Sequence, residues 1–522
     1  MALKRLIIGM CETKYNNHLL PRLLIILIFF IETPSLISQI KNLSFSYFQR
    51  HREIVHGSLK PYLESHQAII NTDSSSRLKW IARKLYDENL FDFRENDIKL
   101  TIDPLFNFSF GLNEMNENYI FSNVRGLRIT GDISQKFSFE TRIYENQFIY
   151  PEYLKLKSKQ RANNEKTIDA IAFGIGRAKN FKANGLDASL ANGYLSFSPN
   201  ESINFQLGHG RHFFGTGYRS LLISDYAPDY PYLSGQYYLF GKKVLYKHVY
   251  AWMSNLSRIS ASSNAESLFV PKAFSINQVS YQPNNKFSLS FFEGVIYKLF
   301  DTNEGRVYPE MSFYIPLFGL SALKNNNSSN LIYGINWDLK FFSRFQLYNQ
   351  FSFNGFNMPG MQAGINFMDP FNLNRSFLNL EFNAIPNTFY SVSSSNIFQR
   401  YSHLGHELAH PLGSGFKEIV LKGQLSFKSF FIRFNQNFVK QSKSKDQNFY
   451  GYEVFTPVDD IVLNQLNFQN LIFLNNSLGF YFNSKTNMEV SLGHITRITS
   501  EKTENYLVLS WKTFLKNDYF DQ

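Results

Sequence analysis

The sequence holds one cysteine, and charged residues make up only 18% of its 522 positions. A single thiol excludes an internal disulfide framework and any cysteine-cluster metal site. The low charge content excludes the highly charged disordered class, and composition excludes collagen-like and coiled-coil chains. Long apolar runs are missing as well. Beyond the N-terminus no segment approaches the ~20 consecutive apolar residues a spanning helix needs, so a helical membrane protein is excluded. The mean hydropathy of -0.25 agrees. What the chain has in quantity is aromatic residues: Phe 54 and Tyr 30, within an aromatic share of 17%. An AT-rich coding sequence would enrich Phe, Tyr, Asn and Lys by itself, so their placement along the chain has to decide. Length does not, because about 150 residues per domain suggests three soluble domains while closed β-barrels spend several hundred residues on one unit.

Residues 23–31 (LLIILIFFI) form the one apolar run, with basic Lys4, Arg5, Lys14 and Arg22 ahead of it and Pro34, Ser35 and Ser38 behind. Nine residues cannot cross a bilayer, but they suit the core of a secretory signal. Residues 1–38 read as a signal peptide cut before Gln39, with Met10 as an alternative start. Cys11 lies upstream of the apolar core and leaves with it. Export separates the chain from nucleic acid. The formal net charge of +11 then points to solvated loops, or to contact with acidic glycans or lipid headgroups.

The periodicity divides the remainder. Residues 76–89 carry Leu78, Ile81, Ala82 and Leu85 at helical spacing, with Asp73 or Ser74 as N-cap, and predict one short amphipathic helix within a small segment at 39–95. Its stripe is too short to fold alone and should dock on something larger. From Lys99 onward the period is two. Residues 137–143 (FSFETRI) alternate apolar Phe137, Phe139 and Ile143 with Ser138, Glu140 and Arg142, and 203–207, 287–291, 425–434 and 488–492 do the same. Two connections, around Pro199-Asn200 and Pro283-Asn284, carry tight-turn chemistry. Between hairpins lie longer polar stretches at 157–167, 325–330 and 440–447. Short turns on one side and long loops on the other, with apolar-out and polar-in strands, describe an outer-membrane barrel. There the closed ladder satisfies the backbone and the lumen accepts polar groups. Residues 96–522 thus predict an all-β, antiparallel transmembrane β-barrel of about sixteen to eighteen strands at roughly 24 residues per strand and connection, the last spanning 506–520.

Two segments carry candidate chemistry. Residues 208–233 read GHGRHFFGTGYRSLLISDYAPDYPYL. The glycines at 210–216 imitate a phosphate loop, but no Lys precedes Thr216, and a nucleotide site is discarded. Gly208, Gly210, Gly215 and Gly217 instead permit close or left-handed backbone where a loop folds inward. His209, Arg211, Arg219, Asp225, Tyr230 and Tyr232 combine fork donors, a carboxylate and aromatic faces, a set that suits an acidic sugar; the alternative is that both Arg pair with carboxylates such as Asp225 and hold the loop. Residues 403–418 read HLGHELAHPLGSGFKE, and His406, Glu407 and His410 match H-E-x-x-H. That motif needs a helix, and Pro411, Gly413 and Gly415 oppose one. Phe416 occupies the place of a third His. No zinc, no cofactor and no catalytic residue is expected.

Taken together, these two segments resemble the Wzi-like capsule-assembly proteins, and more closely their Bacteroidetes branch, which includes gliding-motility RemB-like proteins. IKLTIDPLFNFSFG at 98–111, FSFETRIYENQF at 137–148 and YLSFSPNESINFQLG at 194–208 extend the resemblance over most of the exported chain. It implies an outer-membrane β-barrel with a periplasmic helical element that holds capsular polysaccharide or serves surface motility and adhesion. Three functions remain open: a non-enzymatic protein binding or attaching surface polysaccharide, a motility or adhesion component with partners at the cell surface, and a diffusion or uptake channel.

Overall fold

The computed structural model describes residues 59–61 and, with short interruptions, 80–521. The expected signal peptide lies outside the described residues. Eighteen antiparallel strands close into one barrel. They are β1 (Ile98–Asn113), β2 (Tyr119–Ile133), β3 (Phe137–Ile149), β4 (Gly185–Asn200), β5 (Ile203–Gly210) and β6 (Tyr230–Leu239). Next come β7 (Val244–Arg258), β8 (Phe269–Asn284), β9 (Phe287–Lys298), β10 (Ser329–Phe341), β11 (Phe345–Phe353) and β12 (Gly360–Met368). The circuit ends with β13 (Phe377–Ile385), β14 (Phe416–Phe427), β15 (Phe430–Ser444), β16 (Leu466–Asn483), β17 (Met488–Thr499) and β18 (Thr503–Lys512). The seam is β18 on β1, in register from Tyr506 opposite Asn113 to Lys512 opposite Asn107. Below that point Phe91–Glu95 covers the edge of β1 that β18 leaves open, pairing Phe91 with Ile102 and Glu95 with Ile98. No long edge is left exposed there.

The wall is apolar outside and polar inside, the inverse of a soluble sandwich. In β3, Glu140 is fully buried within the barrel while Ile143 is 57% exposed on its outside. In β5, Gln206 is buried between exposed Phe205 and Leu207. The alternation seen in the sequence is therefore the pleat itself. One stretch departs from it. Residues 425–434 are not one strand but the hairpin of β14 and β15, turning at Lys428, which has φ 58. The parity reverses there, so that Phe431 is buried next to exposed Phe430.

Both Pro-Asn connections are the tight turns expected. The Asn200 side-chain oxygen accepts the Ser202 N–H at 2.9 Å. Asn284 accepts those of Lys286 and Phe287 at 2.9 and 3.1 Å. These Asx turns satisfy the N–H groups of the turn directly after a proline that has none to give the ladder. As the β4–β5 and β8–β9 connections, they lie at the end of the barrel where β2–β3, β6–β7, β10–β11 and β14–β15 also turn briefly, and the long connections lie at the other end.

The N-terminal helix is α1 (Trp80–Tyr86), at the short-turn end. Asn483, at the end of β16, donates to the Lys84 and Glu88 carbonyls, and the Tyr86 ring lies 6.3 Å from Phe482. Trp80 and Ile81 remain 61% and 65% exposed, so the expected docking is limited to one edge of the helix. Two further expectations are corrected. The polar stretch from Lys157 lies in a second helix, α2 (Glu152–Glu165), whose few apolar positions make no stripe. The last strand stops at Lys512, and Phe520 lies apart from it, its carbonyl accepting the Tyr153 hydroxyl.

Candidate functional site

Among the described residues three long connections fold into the barrel at length, and Val454 of the β15–β16 connection joins the core they make. The β3–β4 connection brings α2 and the hairpin of Ala170–Ala172 with Gly176–Phe181. The β5–β6 connection, residues 211–229, is buried throughout. The β13–β14 connection contributes a small hairpin in which Ser402 and His403 pair with Glu407 and His406. Together they form a plug. Phe214, Leu221, Leu222 and Ile223 pack with Tyr390 and Leu408 against an apolar sector of the inner wall made by Phe274, Ile276, Phe292 and Ile332. Burial of this kind contributes roughly 25 cal/mol per Å² and gives the plug its position.

Polar groups then pin the loops to each other and to the wall. Arg211 spans two loops: its Nε donates to Asp229 at 2.6 Å, Nη1 to the Asp225 carbonyl and Nη2 to the Gly174 carbonyl. Arg161 of α2 reaches the third connection, donating to the Gly405 carbonyl and to Glu407. Arg219 meets Glu418 of β14 at 3.0 Å and Asp521 at 3.1 Å. Glu381 of β13 accepts the backbone N–H groups of Tyr218 and Arg219. The Tyr390 and Tyr401 hydroxyls donate to the Leu221 and Leu222 carbonyls.

The histidines of residues 403–410 share one arrangement. His403 accepts the Ser254 N–H at Nδ1 and faces the Asp229 carbonyl through Nε2. His406 accepts the Gly174 N–H at Nε2 and faces the Leu404 carbonyl through Nδ1. His410 accepts the Leu412 N–H at Nδ1 and faces Glu418 at 2.8 Å through Nε2. Each ring is thus a neutral tautomer with its lone pair already engaged by backbone, the lone pair that zinc would require. Glu407 meanwhile holds Arg161. Residues 406–407 form a short strand rather than a helix, and among the described residues no three His, Cys, Asp or Glu side chains gather as a metal site. Burial pushes His403 down to about 3, with Lys272 adding to it. It also lowers His212 and His410, the latter against the opposing pull of Glu418. Burial raises Asp521, but the Arg219 charge, the Asn435 hydrogen bond and the Lys422 charge together hold the carboxyl below its ordinary range.

The candidate residues of 208–233 are not all brought together. Arg211, Arg219 and Asp225 are buried in the plug, and Tyr230 and Tyr232 face inward at the start of β6. The Tyr230 hydroxyl lies 3.1 Å from His212 Nδ1, and the Tyr232 hydroxyl donates to Gln206 at 2.9 Å. His209 points the other way, exposed on the outside of β5, with Nδ1 2.8 Å from the Ala191 carbonyl. Among the glycines, Gly215 has φ +117, and an added Cβ would meet Gln350 at 2.7 Å. The carboxylates that fix the arginines, Glu418, Asp229 and Asp521, were not singled out in the sequence. The signal for such groups is parity: Glu381 sits at an inward position between outward Leu380 and Phe382.

Beside the plug a cavity of about 400 Å³ remains. Its wall comes from β1–β3 and β14–β18, and its lining includes Arg433, Glu489 and Lys512 near the short-turn ends together with Asn435, Asn475 and Ser477. Tyr153, Phe173, Tyr218 and Phe520 supply ring faces, and Lys422 stands 3.6 Å over the Tyr218 ring. Arg433 holds Glu489 through both Nη atoms at 3.1 Å. Amide donors and acceptors, planar cations and aromatic faces are the chemistry that grips a hydroxylated, acidic ligand.

No protein-family model matches the chain, and no curated protein matches it in sequence. Among solved structures it is similar to Wzi of Escherichia coli, an outer-membrane protein involved in group 1 capsule assembly and described as a carbohydrate-binding β-barrel. The identity is 12% over 78% of this chain and 84% of that chain, with a TM-score of 0.48. It is also similar to OccK8 (OprE) of Pseudomonas aeruginosa, at 9% identity over 80% of this chain and 99% of that one, TM-score 0.40. OccAB4 of Acinetobacter baumannii gives 9% identity, coverage of 81% and 99%, and a TM-score of 0.40. These are likenesses of architecture and carry over nothing about what those proteins do. The motility-associated branch suggested by the sequence has no counterpart among them.

Proposed function

We propose that the chain is a non-enzymatic barrel of the outer membrane that binds or attaches an acidic surface polysaccharide. The observation that carries this reading is the division of the lumen. Three pinned loops fill one part with protein, and the remaining cavity offers rings, amides and cations rather than an open bore. An apolar outer wall around a polar interior supports the membrane location. The pinned plug weighs against the diffusion channel.

A deletion strain tests the function. Loss of cell-associated polysaccharide, restored by the intact gene, is the expected phenotype. Polysaccharide retained in full while surface spreading is lost would replace this reading with the motility or adhesion role. Purified barrel in a planar bilayer should carry almost no current, and a steady open conductance would return the channel to first place.

A further inference from the structure

The short-turn rim bears a cost that the barrel itself does not explain. Phe240, Phe342 and Phe371, all at turns of this end, have φ of 50, 47 and 56. Left-handed backbone favours Gly, Asn or Asp, and a bulky aromatic there is an outlier. The same three side chains are 80%, 84% and 75% exposed. A turn facing water would gain on both counts from Gly or Asn, and the other left-handed turns of this rim at Ser134, Lys428 and Asn487 carry polar residues. Two independent penalties thus recur on three turns of one rim.

The surroundings indicate what covers these rings. Phe342 meets Phe341 edge to face at 5.6 Å, Phe341 stacks on Phe345 at 5.4 Å, and Phe345 on Phe367 at 4.3 Å. The last three lie on the outward face of β10–β12, so the exposed tip prolongs the apolar outer wall. Lys243, Arg344 and Arg375 lie in the same turns as the Phe tips, and Lys286 in the β8–β9 turn between two of them. On the same rim α1 leans on Phe482 through Tyr86 and leaves Trp80 and Ile81 uncovered, while its own cations Arg83 and Lys84 pair with Glu88. Rings continuous with a hydrocarbon-facing wall and flanked by cations match a leaflet of anionic phospholipid, whose acyl boundary takes the rings and whose phosphates take the charges.

We infer that the short-turn rim, including α1, is seated in the adjoining leaflet and grips anionic phospholipid headgroups, rather than standing clear of the membrane. The inference rests on the membrane-spanning reading given above.

The test uses the full chain with Cys11→Ser, which removes its only thiol, and Phe342→Cys carrying an environment-sensitive fluorophore. Phe240→Cys serves as a second position should one variant fail to assemble. The protein is placed in vesicles of phosphatidylglycerol and phosphatidylethanolamine with shallow nitroxide-labelled lipid. Quenching of the label by about twofold or more is expected, and it should weaken when Lys243, Lys286, Arg344 and Arg375 are replaced by Gln or when phosphatidylcholine replaces the anionic lipid. An unquenched label while the wall residues Trp252 and Trp511 are quenched would overturn the rim inference alone. Unquenched Trp252 and Trp511 would overturn the spanning reading and this one with it. Protection of the label only after addition of a soluble periplasmic fraction would assign the rim to a protein partner and equally overturn the proposal.

Discussion

Arg219 shows how much one side chain carries here. Its guanidinium faces Glu418 and Asp521, with all three groups almost fully removed from solvent. Such a group adds little net stability over an apolar equivalent, but removing one member strands the others, at about 3–5 kcal/mol. Arg219→Ala should therefore lower the temperature at which the folded, fast-migrating gel form is lost. Arg219→Lys should recover only part, because it keeps charge without the planar fork. If Arg219→Ala keeps wild-type heat resistance while surface polysaccharide is lost, Arg219 belongs to a ligand instead. The histidines extend the argument to pH. His212, His403 and His410 lie in the plug rather than in the spanning strands, and each has a lowered folded-state pKa. A lowered pKa means the unfolded chain binds protons first, so their contribution is complete above the unfolded value of ~6.5 and declines as pH falls below it. Asp521, also lowered, acts with the same sign at more acidic pH. Heat resistance should be level above about pH 7 and fall steadily below ~6.5, whereas a profile that improves on acidification would contradict the neutral tautomers.

Among the elements, the three inward connections differ from the remaining turns in what they do and in how visible they are. Replacing residues 386–415 by a short Gly-Ser linker removes the partners of Arg161, Leu221 and Leu222 while leaving β13 and β14 to pair. The shortened barrel should still insert, and planar-bilayer recording should show a steady conductance well above the near-zero current expected of the intact protein. The wall was legible because lipid outside and polar groups inside impose period two on every strand, as in FSFETRI, and because Asn200 and Asn284 are turn residues with a local mechanism. The plug was not. Helix α2 has no apolar stripe, since it is satisfied by Ser158 bonding the Ile171 carbonyl and by Arg161 bonding the third connection. Nothing local in a sequence marks a loop for the inside of a barrel. Arg211 and Arg219 were recognisable as special, and so was the possibility that carboxylates hold them. The partners of Arg219 at 418 and 521 are fixed only by the closed circle, whereas Arg211 finds Asp229 within its own loop.

At the scale of the whole molecule, the attachment of Arg219 to Asp521 has a bearing on the order of assembly. The anchors of the plug are scattered along the chain: Arg161 and Arg211 early, Gln350 and Glu381 in the middle, Glu418 later and Asp521 beyond the last strand. Contacts so distant in sequence form late, because the loop entropy must be spent before they return anything. The wall can shut when β18 meets β1, but the lock on residue 219 waits for the chain beyond it. The last residues therefore work as a latch: the packed plug and its other ion pairs need only the closed ring, and the pair from Asp521 to Arg219 fastens it once the chain beyond β18 has folded back.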